Sequence, residues 1–154
     1  MSDVTVSIEI DASPGRVWEV VEPIESHVDW MADAVAIRFQ GEQTRDVGTL
    51  FDCDTKVGPV RLTDRMEITR WEPATDEPPS NGAMGVTHRG VVTGHGVFSI
   101  EHTPRGTTRF TWSEDLVFPW WLGGRLGQKV AGRFVLGPIW RRNLAALKSR
   151  VEAG

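Results

Sequence analysis

The chain contains no tyrosine and a single cysteine, Cys53, among its 154 residues. Without tyrosine, no phenol can serve as an acid or an oxyanion donor anywhere in the protein. One cysteine cannot build a disulfide framework or a zinc site with several thiolate ligands. The aromatic surface comes instead from seven tryptophans and six phenylalanines, and tryptophan supplies a large apolar area with one hydrogen-bond donor.

Long hydrophobic runs are missing as well. No apolar stretch approaches the roughly 20 residues that a membrane-spanning helix requires. The first residues follow a strand pattern rather than the charged and apolar regions of a secretion signal. We therefore expect a cytoplasmic protein without a membrane span.

Neither sign of charge is in large excess, because 21 acidic residues oppose 17 basic ones for a net charge of −4. This balance provides no electrostatic footprint for nucleic acid, so we expect no nucleic-acid partner. The basic residues of the last helix could form a local stripe, but a solvated helix face is the simpler interpretation. The length and the ordinary hydrophobic content of 40% predict that residues 1–154 form a single domain.

The C-terminal stretch 120–152 has the strongest periodic pattern in the chain. It predicts one amphipathic helix of roughly 30 residues, about 45 Å long. Pro138 removes a backbone hydrogen bond within this stretch, so we expect a kink near Phe134. The alternative is two helices, the second beginning at Pro138; the unbroken apolar period favours the kink. The residues of the pattern are Trp120, Leu122, Leu126, Val130, Phe134, Trp140, Leu144, Leu147 and Val151.

Most of the chain before this helix alternates apolar and polar residues, as half-buried strands do. Seven strands are predicted, at about residues 4–10, 35–39, 49–57, 60–71, 84–89, 94–102 and 107–117. Ser13 and Pro14 predict the start of a short helix between the first two strands, followed by a second short helix over 24–33. Strands gathered together with helices at the ends indicate an α+β domain with an antiparallel sheet.

Several short motifs, spread over nearly the whole chain, resemble those of the START-like (SRPBCC) helix-grip superfamily, in its polyketide cyclase/dehydrase-like branch. They are 10–18 with Trp30 downstream, 47–49, 71–73, 106–112 and 144–148. The resemblance implies a curved seven-stranded antiparallel sheet wrapped around the long C-terminal helix, with two short helices between strands 1 and 2 and an apolar cavity inside. In that superfamily the cavity binds lipids, sterols, hormones or aromatic polyketides, and only some members are enzymes. Two features depart from the pattern: the proline-rich segment 73–82 and the missing tyrosine, which aromatase/cyclases often place in the pocket.

Strand alternation predicts which polar side chains face the helix. Glu114 shares the inward face of the last strand with Phe110 and Trp112, Asp64 shares a face with Met66, and His88 points inward from a short strand. A few polar groups inside an apolar hollow are typical of a small-molecule site. The predicted ligand-binding residues are Asp64, Met66, His88, Phe98, Ile100, Phe110, Trp112, Glu114, Trp120, Val130 and Phe134.

The polar candidates also have structural interpretations. Glu114 could lie wet at the strand end, paired with an arginine, and His88 could be a hydrogen-bonded core histidine. Trp120 and Trp121 could be packing residues or part of a mobile lip at the cavity. No metal site is expected, because His95 and His102 would face opposite ways on one strand. The glycines of 123–127 lack the context of a phosphate loop, and we expect no cofactor.

Three functions are compatible with this pattern. The first is binding of a hydrophobic, ring-containing small molecule, such as a lipid or a polyketide-like compound. The second is a polyketide cyclase or dehydratase reaction, with Glu114 and His88 as its acid/base pair. The third is a non-catalytic interaction subunit with a vestigial cavity, which an apolar surface patch would suggest.

Overall fold

The computed structural model describes residues 4–154, apart from the side chain of Gln128. Within this range the strands are β1 (Val4–Ile10), β2 (Ala34–Phe39), β3 (Leu50–Val57), β4 (Val60–Glu72), β5 (Thr75–Asp76), β6 (Pro79–Ser80), β7 (Gly82–Arg89), β8 (Thr93–His102) and β9 (Thr108–Val117). Seven of them form one antiparallel sheet in the order β1-β9-β8-β7-β4-β3-β2. The predicted seven-stranded antiparallel sheet is therefore confirmed.

The connection between β1 and β2, at opposite edges of the sheet, contains the two predicted short helices. Helix α1 covers Pro14–Val21, and a 3₁₀ helix covers Ile24–Asp29. Ser13 caps α1 by accepting the backbone N–H of Arg16, as the sequence predicts.

The proline-rich segment between β4 and β7 is not a plain loop, because β5 and β6 pair within it. The carboxylate of Asp76 in this hairpin accepts hydrogen bonds from the Ser13 hydroxyl and from the Gly15 backbone N–H, at 2.9 and 2.7 Å. A carboxylate at the first turn of a helix satisfies otherwise unpaired N–H groups. The hairpin therefore fixes the start of α1.

The C-terminal helical segment differs from the prediction at its beginning. Trp120–Leu122 form a 3₁₀ turn, and helix α2 covers Gly124–Ala131. A π-helical turn at Gly132–Leu136 then leads into helix α3, Gly137–Ala153. The backbone stays right-handed helical from Ala131 through Gly137, so Pro138 does not separate two helices.

The π turn lies directly before Pro138 and has a physical cause there. Proline has no N–H to offer the carbonyl four residues earlier, that of Phe134. In the π turn, the N–H of Gly137 bonds to the carbonyl of Gly132, five residues back. Because a π turn has more residues per turn than an α-helix, it changes the direction in which the side chains of α2 point relative to those of α3. The prediction of one unbroken apolar stripe along the C-terminal segment was therefore wrong for α2.

The core lies between the sheet and α3. Trp140, Leu144, Leu147 and Val151 of α3 are buried, together with apolar residues of β1 and β9. This part of the predicted apolar stripe is confirmed. None of the helices described in residues 4–154 combines the length and the apolar composition needed to cross a bilayer.

Candidate functional site

A cavity of about 630 Å³ lies between the sheet and the C-terminal helical segment. Strands β3, β4, β7 and β9 contribute to one side of its wall, and the segment from Phe118 to Trp140 contributes to the other. Most of the wall is apolar, formed by Met31, Ala34, Val57, Val60, Leu62, Met66, Val92, Trp112, Leu116, Phe118, Leu122, Ala131, Val135, Leu136, Ile139 and Trp140. A second cavity of about 70 Å³ adjoins it and shares Met31, Cys53, Met66, Trp112 and Glu114.

The polar part of the large cavity is a line of three side chains, Asp64, His88 and Glu114. His88 Nδ1 donates a hydrogen bond to Asp64 Oδ2 at 2.9 Å. On the other side of the ring, His88 Nε2 lies 3.3 Å from Glu114 Oε2. The side chains of His88 and Glu114 are buried and that of Asp64 is 16% exposed, so this cluster, which we call the carboxylate–imidazole cluster, sits away from bulk water.

Two glycines allow the cluster to form across the sheet. His88 on β7 and Glu114 on β9 are separated by β8, where their partners in the strand register are Gly94 and Gly96. A methyl group on Gly96 would lie 2.9 Å from Cγ and Oε1 of Glu114. Because β8 presents no side chain at these positions, the imidazole and the carboxylate can approach each other over its backbone.

At neutral pH the imidazole of His88, the central member of the carboxylate–imidazole cluster, is positively charged. Burial by itself opposes that charge, but the hydrogen bond to Asp64 and the proximity of Glu114 outweigh it and raise the pKa of His88 to about 10. Two buried polar atoms, His88 Nε2 and Asp64 Oδ1, have no hydrogen-bond partner. Since Nε2 is at ion-pair distance from Glu114 without hydrogen-bond alignment, the cluster retains a donor and an acceptor for a further group.

Glu114 is held from the other side by tryptophan. The indole Nε1–H of Trp112 donates to Glu114 Oε1 at 2.9 Å, although the two residues are neighbours on the same face of β9. The carboxylate is therefore oriented by an indole and an imidazole. The alternative of a wet Glu114 paired with an arginine is excluded by this geometry, since Glu114 is only 7% exposed.

A second polar network joins α3 to the start of β2 at the cavity wall. Asn143 Nδ2 donates to Asp33 Oδ1 at 2.7 Å, and Asn143 Oδ1 accepts the backbone N–H of Ala32 at 3.0 Å. Trp140 Nε1 lies 3.4 Å from Asp33 Oδ2. Asn143 is fully buried and was not among the residues predicted from the sequence. Its position on the same helical face as Trp140 and Leu147 was the available signal.

The structure brings five of the predicted ligand-binding residues together around the large cavity: Asp64, Met66, His88, Trp112 and Glu114. Phe98 lines the smaller cavity and contacts the rings of Trp30 and Trp112. These positions agree with the predicted inward faces of β4, β7, β8 and β9.

Five other predicted residues do not line either cavity. Ile100 and Phe110 face inward as predicted, but they lie toward the opposite end of the strands and are completely buried in the core. Trp120, Val130 and Phe134 are 87%, 50% and 67% exposed, so the structure does not place them in the cavity wall as predicted. The 3₁₀ and π turns explain this correction, because they direct Leu122, Ala131 and Val135 inward instead.

Two further titratable groups face the smaller cavity. Burial lowers the pKa of His27 to about 4, and its Nε2–H donates to the carbonyl of Val21 at 2.7 Å. Burial raises the pKa of the Cys53 thiol to about 12. Both groups are therefore neutral at physiological pH. In the described part of the chain, no group of three His, Cys, Asp or Glu side chains is arranged to hold a metal ion.

Residues 1–152 match a protein-family model described as polyketide cyclase / dehydrase and lipid transport. The chain belongs to this family. The match agrees with the resemblance stated from the sequence, and the START-like helix-grip fold is confirmed. Among curated protein sequences, none matches this chain significantly.

Several solved structures are similar to this chain. One is a START superfamily protein from Mycobacterium smegmatis, which has a TM-score of 0.67 and 16% sequence identity, with 97% of each chain covered. An aromatase/cyclase from Streptomyces sp. R1128 has a TM-score of 0.69 and 12% identity, covering 97% of this chain and 92% of its own. A hypothetical protein from Helicobacter pylori has a TM-score of 0.75 and 11% identity, covering 96% and 86%. At these identities the likeness concerns the fold.

Proposed function

We propose that the protein binds a hydrophobic, ring-containing small molecule, such as a lipid or a polyketide-like compound, in the 630 Å³ cavity. The observation that carries this proposal is a large, mainly apolar cavity with the buried carboxylate–imidazole cluster in its wall. Ligand pockets typically enclose about 300–1,000 Å³ and combine an apolar wall with a few oriented polar groups. The cytoplasmic location expected from the sequence is part of the proposal.

The apolar wall supplies most of the affinity. A ligand that buries about 300 Å² of apolar surface gains about 7.5 kcal/mol at roughly 25 cal/mol per Å², before the cost of lost motion on association. Trp112 and Trp140 offer parallel stacked indoles within the wall. Planar rings are suited to contact with such a surface.

The carboxylate–imidazole cluster selects the polar end of the ligand. His88 Nε2 is an unpartnered donor and Asp64 Oδ1 an unpartnered acceptor, and both residues line the cavity. A ligand with a carbonyl oxygen close to a hydroxyl group would satisfy both atoms. Binding would then remove the cost of leaving two buried polar atoms without partners.

The test is native mass spectrometry of the purified protein after incubation with a cell extract. We expect the wild-type protein to retain a small apolar compound, and Ala131→Trp to retain much less of it, because the new side chain would occupy part of the cavity from α2. The matched control is Ala145→Trp, at an exposed position of α3. The proposal fails if no compound is retained, or if both variants retain it equally.

A second candidate function, a cyclase or dehydratase reaction, is favoured by the charged imidazole beside a carboxylate. Glu114 would take a proton from a carbon between two carbonyl groups, and the Nε2–H of His88 would stabilise the resulting enolate oxygen. The enolate carbon would attack a second carbonyl of the same chain, forming a carbon–carbon bond, and the new alkoxide would recover the proton from Glu114. Asp64 would keep the imidazolium oriented.

Glu114→Gln distinguishes the two functions. With a synthetic poly-carbonyl thioester, the enzyme hypothesis expects a loss of turnover of at least about 100-fold, the usual contribution of an acid or base, with ligand retention preserved. Glu101→Gln, on the exposed part of β8, is the control. Unchanged turnover in Glu114→Gln, or no turnover by the wild-type protein, rejects the enzyme hypothesis and leaves the binding proposal in place.

A further inference from the structure

The C-terminal segment exposes large apolar side chains to solvent next to the cavity. Trp120, Trp121, Leu126, Val130 and Phe134 form what we call the outer apolar row, and Trp120 and Leu126 are 87% and 74% exposed. A helix with apolar side chains on two opposite faces is normally buried against other structure on both faces. The inner face of α2 meets the cavity through Ala131, but its outer face has no cover among the described residues.

The outer apolar row surrounds one side of the cavity opening. Val60 and Val135 line the cavity and are also 42% and 39% exposed, so they mark its rim. Trp120 and Trp121 lie between Phe118 and Leu122, which both face the cavity. Because Phe134 directly precedes Val135, a surface that covered the outer apolar row would also reach this part of the rim.

Charge on this segment has one sign only. Residues 116–151 contain seven Lys and Arg and no Asp or Glu, within a chain whose net charge is −4. Arg125, Lys129 and Arg133 each directly precede a member of the outer apolar row and are exposed. No ion pair joins these three cations to a carboxylate of residues 4–154.

We propose that the outer apolar row and its three cations dock the protein onto an anionic phospholipid bilayer, with the cavity opening facing the lipid. Tryptophan and leucine side chains partition into the boundary between headgroups and acyl chains, while long basic side chains reach the lipid phosphates. The charge complementarity selects an anionic surface. In this orientation an apolar ligand passes between bilayer and cavity without crossing bulk water.

A second copy of the chain is a poorer occupant of this surface. If two copies met through their outer apolar rows, the three cations of one copy would face the three cations of the other. Neither copy has a carboxylate among the members of its row or these cations. Like charges facing each other across an interface cost several kcal/mol. A protein partner would have to supply acidic residues around an apolar centre, and this possibility is an outcome of the test.

The experiment is flotation of the full-length protein with vesicles of phosphatidylcholine alone and of phosphatidylcholine with phosphatidylglycerol at a ratio of about 3:1. We expect binding to the anionic vesicles, weakening with added salt as the Debye length shrinks. Arg125→Ser/Lys129→Ser/Arg133→Ser should weaken binding roughly 100-fold, at about fivefold for each cation. Trp120→Ala/Trp121→Ala should weaken it about tenfold or more, through the lost apolar area.

Matched controls lie at the opposite end of the sheet. Arg105→Ser, in the turn between β8 and β9, removes an exposed cation, and Val47→Ser, in the turn between β2 and β3, removes an exposed apolar side chain. Both should bind like the wild-type protein, and circular dichroism should show all variants folded. The proposal is overturned if anionic vesicles are not bound, if the controls lose as much binding as the row variants, or if light scattering shows a dimer that Trp120→Ala dissociates. The proposal is also overturned if the outer apolar row binds an acidic protein selectively and does not bind vesicles.

Discussion

The indole rings of Trp112 on β9 and Trp140 on α3 stack with their centroids 4.3 Å apart and their planes 11° from parallel. The nitrogen of Trp112 also donates to the carboxylate of Glu114. One side chain thus joins the sheet to the helix and orients the acidic group in the cavity. Fold stability and site geometry are therefore coupled at this contact.

Removal of the stacking partner should destabilise the protein strongly. Trp140→Ala is expected to lower the free energy of unfolding by about 3–5 kcal/mol, because a buried aromatic ring is lost from between sheet and helix. Urea denaturation measures this change. Trp121→Ala, at a position that is 55% exposed, should change stability by no more than about 0.5 kcal/mol. Equal losses in the two variants would contradict the importance of the stack.

The two carboxylates of the carboxylate–imidazole cluster depend on His88. His88→Gln leaves Asp64 and Glu114 buried without a cation between them, and we expect it to cost about 3–5 kcal/mol of unfolding free energy. The double variant His88→Gln/Asp64→Asn removes one of the negative charges and should recover part of that loss. A double-mutant cycle with Asp64→Asn alone measures the coupling. Strictly additive losses would show that the three groups do not act as one unit.

Stability should depend on pH in two directions. Because the pKa of His88 is raised from 6.5 to about 10 on folding, its contribution is complete below pH 6.5 and is lost as pH rises toward 10. The pKa of His27 is lowered to about 4, so its neutral form contributes above pH 6.5 and that contribution is lost as pH falls toward 4.

Unfolding free energies measured from pH 4 to 9 test both slopes. His88→Gln should flatten the slope between pH 6.5 and 9. Burial raises the pKa of the Cys53 thiol from 9 to about 12, so this group also lowers the free energy of unfolding above pH 9. The measurements are therefore made at pH 9 and below. An alkaline slope that persists in His88→Gln would refute the assignment.

Gly96 should be intolerant of even one methyl group. Gly96→Ala would bring Cβ within 2.9 Å of the Glu114 side chain, which must then move away from His88 and Trp112. We expect a cost of about 1–3 kcal/mol and a lower His88 pKa, measured by NMR titration of the imidazole. Ser99→Ala, three positions along the same strand, is the control. An unchanged His88 titration in Gly96→Ala would show that the glycine is not needed for the contact.

The sheet and the inward-facing polar residues could be predicted because successive side chains of a strand point to opposite faces of the sheet. The sequence pattern of a strand therefore indicates which of its residues share the buried face. Asp64, His88 and Glu114 fall on the predicted inward faces of β4, β7 and β9. Their mutual contact could not be predicted, because it depends on which strands are neighbours and on glycines at the intervening positions of β8. The periodicity of a single strand contains no information about its partners.

The helical segment was harder to predict because its winding changes along its length. Leu144 and Leu147 occupy the predicted buried face, whereas Leu126 and Val130 do not. A fixed period of 3.6 residues assumes uniform α-helix, and the 3₁₀ and π turns break that assumption. Asn143 was overlooked because a polar residue on an apolar face gives no sign of the acceptor that satisfies it, here Asp33 from a distant part of the chain.

The π turn at Gly132–Leu136 has a consequence for how pockets in this fold can diversify. Deletion of one residue there would restore ordinary helical spacing and rotate α2 by about 100° around its own axis relative to α3. The side chains now directed toward the cavity and those directed toward the surroundings would be exchanged in part, without any substitution among them. A single insertion or deletion in a helix can thus redesign a binding chamber and an outer surface in one step.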